Sequence, residues 1–196
     1  VIKGMLGRDE NDNLVVSKDA VAAYVADLAG KYDTAGTERT FSTYDNRDIT
    51  VSGGNYGWVI DQQKESNALY KDITEKKTEV REPVYEQKAA SRKINDIGYS
   101  YIEIDLSAQR MVLYQSGSPV VDTGLVADSS TPTGIYALGE KESSAVPGGG
   151  AGETVNFWMP FTDKIGIYGK AGLDVTGYDF SDDAVEPAYF RIRGRV

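Results

Sequence analysis

A strict alternation of apolar and polar residues in the stretch YIEIDL, residues 101–106, constrains the fold of this chain more than any other feature. Ile102, Ile104 and Leu106 fall on one side of an extended strand, and the residues between them fall on the other. The next stretch, RMVLYQSGSPVVDTGLVA, predicts a β-hairpin, because its Ser-Gly-Ser-Pro centre is typical of a tight turn. Three more short strands are predicted in TPTGIYALGEK, ETVNFWMPF and KIGIYG. Such strands, separated by glycine and proline turns, indicate a β-sandwich or barrel-like domain.

The N-terminal part has a different pattern, which predicts a small α+β domain. SKDAVAAYVADLAGKY predicts an amphipathic helix capped by Ser17 or Asp19. The inward face of this helix consists of Val21, Tyr24, Val25 and Leu28. A second helix is predicted in QQKESNALYKDITEKK, with Leu69 and Ile73 inward and the charges outward. Between the helices, RTFSTYDNRDITVSGGNYGWVID predicts a strand, a glycine turn and a second strand.

A polar stretch, TEVREPVYEQKAASRKINDIG, separates these two patterns and predicts an extended crossover. We therefore expect an α+β domain over residues 1–85, a linker over 86–100 and a mainly-β domain over 101–196.

Composition excludes several kinds of chemistry. The chain has no cysteine and no histidine, so its residues offer no thiolate nucleophile, no imidazole base and no Cys or His ligand for zinc or copper. The net charge of −9 argues against nucleic acid as a partner, because phosphate neutralisation needs clustered lysine and arginine. No apolar run is long enough to span a bilayer, so we expect no membrane contact by this segment, and an upstream anchor stays open.

Common catalytic and cofactor motifs do not account for the chain. A Ser-His-Asp triad is impossible without histidine, and neither GxSxG nor SxxK occurs. The glycine-rich SSAVPGGGAGE lacks the lysine end of a phosphate-binding loop and predicts a surface loop, and we expect no cofactor. The acidic residues Asp179, Asp182, Asp183 and Glu186 lack the spacing of a calcium loop, which favours a solvated loop over a metal site. The residues alone thus indicate a two-domain protein without a visible catalytic apparatus.

The order of several short stretches, taken together, resembles the YkuD-type L,D-transpeptidases. YIEIDLSAQRMVLYQSGSPVVDTGLV is similar to the opening strands of their catalytic domain, where an IDL-x-x-Q signature precedes a hairpin. TPTGIYAL resembles the family's TPTG segment, and VNFWMPF with IGIYG resembles the strand pair that carries its histidine. Residues 13–85, with YGWVID and REPVY, are similar to the peptidoglycan-binding domain that precedes the catalytic domain in many Gram-positive members.

This resemblance implies a YkuD-like β-sandwich and an acyl transfer on bacterial peptidoglycan. In the family a cysteine thiolate attacks the third residue of a donor stem tetrapeptide, expels the terminal D-alanine and passes the acyl group to an amine of an acceptor stem. A histidine moves protons, and backbone N–H groups hold the oxyanion. The implied location is extracytoplasmic, at the cell wall or cell surface, and the implied partner is the peptidoglycan stem peptide.

When the catalytic positions of the family are matched to this chain, the resemblance implies that the catalytic residues are not intact. Tyr168 stands at the histidine position, Ile192 at the serine and Arg195 at the cysteine. Gly194 retains the family's glycine, and Arg193 falls at a position that holds histidine or arginine. A guanidinium does not attack a carbonyl, and a tyrosine of ordinary pKa, about 10, is a poor base at neutral pH.

The resemblance also implies substrate contacts through Trp158, Tyr168 and Arg193. Three readings follow: a non-catalytic wall module that binds peptidoglycan, a member of an active cross-linking lineage truncated or altered in this chain, or an unrelated structural wall protein. In the family a helix and closing strands follow the cysteine loop, whereas the chain stops one residue beyond Arg195. We therefore expect a fold that is truncated at its C-terminus or that closes differently.

Overall fold

Each of the two units of this chain is assembled from two separate stretches of sequence. The structure is a computed structural model that describes residues 3–93, 95–127, 129–147 and 154–169, with the backbone of residues 2 and 189–193. The first unit consists of Val1–Ala35 and Gly57–Ala89, and the second of Gly36–Tyr56 and Ala90–Val196. Residues 36–56, expected in the N-terminal domain, therefore make their contacts within the second unit.

The α+β character of the first unit and the mainly-β character of the second agree with the predicted fold class. In chain order the elements are a 3₁₀ helix (Ile2–Met5), β1 (Leu6–Arg8), β2 (Leu14–Val16), α1 (Lys18–Tyr32), β3 (Arg39–Ser42), β4 (Asp48–Val51), β5 (Val59–Ile60), α2 (Gln62–Thr74), β6 (Tyr85–Gln87), β7 (Tyr101–Asp105), β8 (Arg110–Gln115), β9 (Ser118–Gly124), β10 (Gly134–Ala137), β11 (Glu142–Ala145), β12 (Val155–Pro160), β13 (Gly166–Gly169) and β14 (Tyr189–Arg193). No helix within the described ranges is long and apolar enough to cross a membrane.

Helix α1 forms as the sequence predicted. The side chain of Ser17 caps it and accepts a hydrogen bond from the Ala20 amide at 3.2 Å. Val21, Val25 and Ala29 recur every four residues and are buried, because they lie on the face that turns toward the core of the first unit. The helix end is satisfied by the Asp33 amide, which donates to the Ala29 carbonyl.

Helix α2 departs from its predicted pattern at one residue. Its charges were expected outward, but Glu65 is buried, with 4% of its surface exposed. Its carboxylate accepts hydrogen bonds from the Arg81 guanidinium and the Val84 amide, both at 2.8 Å. The expectation was wrong here because the partners come from the chain beyond the helix, and helical periodicity carries no information about them.

Five strands of the second unit form the main sheet, in the order β10-β14-β7-β8-β9, and three form a smaller sheet, β11-β12-β13. β10 and β14 are parallel, and the other neighbours are antiparallel. Ile102, Ile104 and Leu106 are buried on one face of the main sheet, as the alternation predicted. Phe161 and Ile167, from the β12–β13 region, pack in the same cluster, so this core lies between the two sheets.

The opposite face of β7 is buried as well. Glu103 and Asp105 are 2% and 0% exposed. The hairpin of β3 and β4 meets them: the Tyr44 amide donates to Glu103 Oε1 at 3.0 Å, and Arg47 Nη2 donates to Asp105 Oδ2 at 3.3 Å. These bonds explain why residues 36–56 group with the second unit, since buried carboxylates need nearby donors.

The IDL-x-x-Q signature has a local structural role. Asp105 Oδ1 accepts a hydrogen bond from the Ala108 amide at 2.9 Å and so closes the turn that follows β7. Gln109 donates to the Leu106 carbonyl and accepts from the Ala127 amide, both at 2.6 Å. The signature therefore holds the β7–β8 turn and the chain after β9 together.

The β8–β9 hairpin is confirmed, with its tight turn at Ser116 and Gly117. Both residues have positive φ, 51° and 85°, as the turns that match the strand twist require.

The sequence predicts a glycine turn between two strands at residues 53–57. The strands on either side form, but they do not pair with each other, because β4 pairs with β3 and β5 pairs with β6. Residues Gly53–Tyr56, which we call the edge segment, instead lie along β10. The Ile135 amide donates to the Gly53 carbonyl at 3.1 Å, and the Tyr56 amide donates to the Ile135 carbonyl at 3.0 Å. Gly54 has φ +83°, and a Cβ there would overlap the Ile135 carbonyl, so glycine is required for close approach and not for a turn.

Three further stretches differ from their sequence interpretation. Part of the predicted loop SSAVPGGGAGE forms β11, and residues 148–153 lie outside the described residues. The C-terminal stretch 189–193 is β14, whose backbone lies between β10 and β7 inside the main sheet. In the expected linker, Asp96 and Ile97 are buried, and Arg39 Nη2 lies 3.2 Å from Asp96 Oδ2. Residues 90–100 thus take part in the second unit.

Candidate functional site

A cleft of about 550 Å³ lies in the second unit, next to the C-terminal end of β10. Its described lining residues are Asn55, Ala137, Gly139, Glu142, Ala145, Val146, Trp158, Pro160, Phe161, Thr162 and Asp163. They come from the edge segment, from β10 and β11, and from the end of β12 with the turn after it. Such a volume fits a short peptide or a small molecule.

Close backbone contacts fix the walls of the cleft. The Gly139 amide donates to the Pro160 carbonyl at 2.7 Å, and a Cβ on Gly139 would lie 3.0 Å from the Pro160 ring. After β12, the Phe161 amide donates to the Ile165 carbonyl at 2.9 Å, and the Ile165 amide donates to Thr162 Oγ1 at 3.0 Å. This turn sets the position of the lining residues 161–163.

The charged lining residues are both acidic. Glu142 and Asp163 are exposed carboxylates, and the described lining includes no lysine or arginine. These carboxylates can accept hydrogen bonds from N–H donors of a ligand.

Trp158 lies in the cleft wall, as expected for a substrate-binding residue, and is 6% exposed. The pairing of β12 with β13 is irregular between Asn156 and Met159, so Phe157 and Trp158 both stand opposite Tyr168. The Tyr168 ring is 49% exposed and lies 6.3 Å from the Trp158 ring, centroid to centroid. The structure therefore brings these two predicted residues together, with Tyr168 beside the lining residue.

Asn55 is a lining residue that sequence reasoning missed. Its Oδ1 accepts a hydrogen bond from the Ala137 amide at 3.0 Å, which extends the pairing of the edge segment with β10. The available signal was an amide side chain inside the glycine-rich stretch SGGNYG, which by its pattern predicts a turn.

Tyr136 packs against Phe161, a residue of the cleft wall. Burial raises the pKa of its phenol above the ordinary value. The hydroxyl donates to the Thr133 carbonyl at 3.1 Å, and the ring lies 5.2 Å from that of Phe161. A neutral, bonded phenol of this kind holds neighbouring elements and does not act as a base.

Comparison with known proteins shows what the two parts of this scaffold are similar to. Residues 7–81 match the family described as "Putative peptidoglycan binding domain". The fold is similar to that of the Ldtfm–avibactam carbamoyl enzyme, with 28% identity and a TM-score of 0.63 over 85% of this chain and 68% of that chain. The resemblance to the L,D-transpeptidases is confirmed. A second similar structure is a cysteine-to-serine mutant of the Enterococcus faecium L,D-transpeptidase, with 27% identity and a TM-score of 0.61 over 88% of this chain and 72% of the other. No curated protein sequence matches the chain significantly.

The match to the peptidoglycan-binding family runs across the division between the units. The matched stretch 7–81 includes residues 36–56, whose contacts lie in the second, L,D-transpeptidase-like unit. Asn55 thus belongs by sequence to the peptidoglycan-binding stretch and by position to the cleft.

The remaining predicted site residues of this L,D-transpeptidase-like chain lie in or after β14. The backbone of Ile192 is paired with Ile102 and Tyr136, and that of Arg193 with Ala137, a lining residue of the cleft. Gly194 and Arg195 lie outside the described residues. Their equivalence to the glycine and cysteine of L,D-transpeptidases stays a prediction.

Metal ligands were not expected in this L,D-transpeptidase-like chain. Within the described ranges, no group of three or more acidic side chains is placed to hold a metal ion. The acidic residues 179–186 lie outside those ranges.

Proposed function

We propose that this chain is a cell-wall protein that binds peptidoglycan stem peptides in the cleft of its second unit. The observation that carries the proposal is the cleft itself, walled by Trp158 and Asn55 on an L,D-transpeptidase scaffold. The match of residues 7–81 to a peptidoglycan-binding family supports the same ligand and a place at the wall, outside the cytoplasm. A cleft of about 550 Å³ has room for several residues of a peptide.

We further propose that the chain is catalytically inactive as written. The 196 residues contain no cysteine and no histidine, and the resemblance implies Arg195 at the family's cysteine position and Tyr168 at its histidine position. A thioester needs a thiolate, and neither a guanidinium nor a neutral phenol replaces it at neutral pH. In this proposal the scaffold retains a binding site and has lost the acyl-transfer step.

The two tryptophans of the chain allow a direct test of binding. Trp58 lies in the first unit, and Trp158 lies in the cleft wall. The variant Trp58→Phe reports fluorescence from the cleft alone, and Trp158→Phe reports from the first unit alone. We expect a synthetic stem tetrapeptide ending in D-alanine to cause a saturable change in Trp58→Phe and none in Trp158→Phe. A change reported by Trp58 alone, or by neither residue, contradicts binding in the cleft.

Inactivity is tested separately by intact-mass measurement. One similar structure is the carbamoyl enzyme formed with avibactam, so that reagent labels the reactive residue of that protein. We expect no mass increase when this chain is incubated with avibactam or a carbapenem, with the similar enzyme as the positive control. A covalent adduct would instead favour the alternative, a chain of the active lineage that forms 3-3 cross-links.

A further inference from the structure

The carboxamide of Asn55 has a fixed orientation in the cleft. An N–H can be accepted only by the oxygen of the amide, so the bond from Ala137 identifies which end of the side chain is Oδ1. The nitrogen then lies at the other end of the same planar group. Nδ2 carries two hydrogens and can serve more than one acceptor.

The backbone beneath Asn55 has little freedom to move. Gly53 and Gly54 both have φ above +80°, in the region that side chains avoid. A Cβ on Gly134 would lie 2.7 Å from the Gly54 amide, so the two backbones are in contact. Together with the Gly53 and Tyr56 bonds to Ile135, this contact holds Asn55 in one place. A donor held in this way loses little entropy when it binds a ligand.

Among the other polar side chains of the described lining, Glu142 and Asp163 are acceptors when ionised. The Thr162 hydroxyl accepts the Ile165 amide and can also donate its own proton, and the Trp158 indole N–H is a donor. Asn55 differs from them in carrying two N–H donors on one planar group. A peptide presents both carbonyl acceptors and N–H donors. The carboxylates of Glu142 and Asp163 can bind only the N–H donors. The carboxamide of Asn55 is suited to the carbonyls.

We propose that Asn55 is a ligand-binding residue whose Nδ2 donates a hydrogen bond to a backbone carbonyl of the peptide in the cleft. This inference rests on the proposed function and deepens it, because it assigns part of the binding site to the stretch that matches the peptidoglycan-binding family. The glycine-rich edge segment thereby both covers β10 and supplies the cleft with a donor.

Two substitutions separate the donor from the structural role of the side chain. Asn55→Asp keeps an oxygen for the Ala137 amide but cannot donate when ionised, and Asn55→Ala removes both groups. Each is made in the Trp58→Phe background, and affinity for the stem tetrapeptide is measured by titration of the Trp158 fluorescence. We expect both variants to bind about threefold to tenfold more weakly, the range for one hydrogen bond. The matched control, Asn67→Asp on α2, adds the same charge in the first unit and is expected to bind normally.

Other outcomes would overturn the inference. Normal binding by both variants removes Asn55 from the site. Weaker binding by Asn55→Ala alone indicates a structural role through Ala137, and weaker binding by Asn55→Asp alone indicates charge repulsion. Absence of binding by the parent protein contradicts the proposed function itself and this inference with it, and it is recognised without any Asn55 variant.

Discussion

At one edge of the main sheet, β10 is covered by the glycine-rich edge segment, whereas at the other edge all seven residues of β9 are exposed. The covered edge depends on backbone contact at Gly54 and Gly134 that allows no side chain. At the exposed edge, Pro119 offers no N–H, and the pairing shift next to it leaves Val120 as an extra residue. Both arrangements protect an edge, but only the covered one also forms part of the cleft wall.

The largest effect is expected at the covered edge. Gly54→Ala places a methyl group on the Ile135 carbonyl and strains a residue at φ +83°, so the edge segment must leave β10. We expect a loss of about 3 kcal/mol or more in the free energy of unfolding, measured by urea denaturation. Gly30→Ala in α1 is the control, because nothing lies near its Cβ, and it should gain about 1 kcal/mol. Equal stability of the two variants would show that the edge segment is not packed as described.

An ion pair near each edge provides the second comparison. Arg39 and Asp96 have side chains only 6% and 8% exposed, and Arg39 also reaches the Tyr56 carbonyl at the end of the edge segment. Arg39→Met leaves a buried carboxylate behind and should cost about 3–5 kcal/mol.

At the exposed edge, Arg110 and Asp122 are 41% and 50% exposed, so Arg110→Met should cost about 1 kcal/mol or less. Denaturation of both variants under the same conditions measures the difference. If Arg110→Met lost more unfolding free energy than Arg39→Met, the description of Arg39–Asp96 as the buried pair and Arg110–Asp122 as the solvated pair would be wrong.

A smaller change in stability, with a change in association, is expected from Pro119→Thr in β9. The substitution restores an N–H on an exposed edge strand that also carries Val120 and Val121. We expect stability to change by about 0.5 kcal/mol or less, while sedimentation velocity detects self-association that grows with protein concentration. The double variant with Val120→Lys should be monomeric again. A monomeric Pro119→Thr protein would mean that the proline does not protect this edge.

The smallest effect is the pH dependence at the exposed edge. A hydrogen bond from Arg110 holds the pKa of Asp122 below its usual value. A lowered folded-state pKa contributes stability that is present above the unfolded value, about 3.9, and is lost as the pH falls through the folded value. Thermal unfolding between pH 6 and pH 3 should therefore show a slightly shallower decline for Asp122→Asn than for the parent protein. If the two proteins lose thermal stability equally as the pH falls, the acid sensitivity comes from other carboxylates.

Local features of the fold were predictable from the sequence. The cap at Ser17, the buried face of Val21 and Val25, and the core face of Ile102 and Ile104 follow from the repeat of the helix and of the strand. In the site, the family resemblance predicts Trp158 as a ligand contact; Trp158 lines the cleft, and its contact with a ligand stays a prediction. The cap and the buried faces share a cause, because each depends on residues that lie close together in the sequence, within one helix or one strand.

Contacts between distant residues were not predictable in this way. The sequence placed Glu65 outward and took Gly53 and Gly54 for a turn, because their partners Arg81 and Ile135 lie far along the chain. It also missed Asn55, which reaches the cleft only through pairing with a strand some eighty residues later.

The sequence by itself determined the two classes of unit, the helix and strand periods, the absence of cysteine and histidine, and the resemblance to L,D-transpeptidases. Only the tertiary structure decided that residues 36–56 join the second unit, that residues 189–193 lie within the main sheet, and that Asn55 and Trp158 line one cleft. The physical reason is that a periodic pattern reports which face of an element is buried. Which element covers that face depends on hydrogen bonds and packing between residues far apart in the chain.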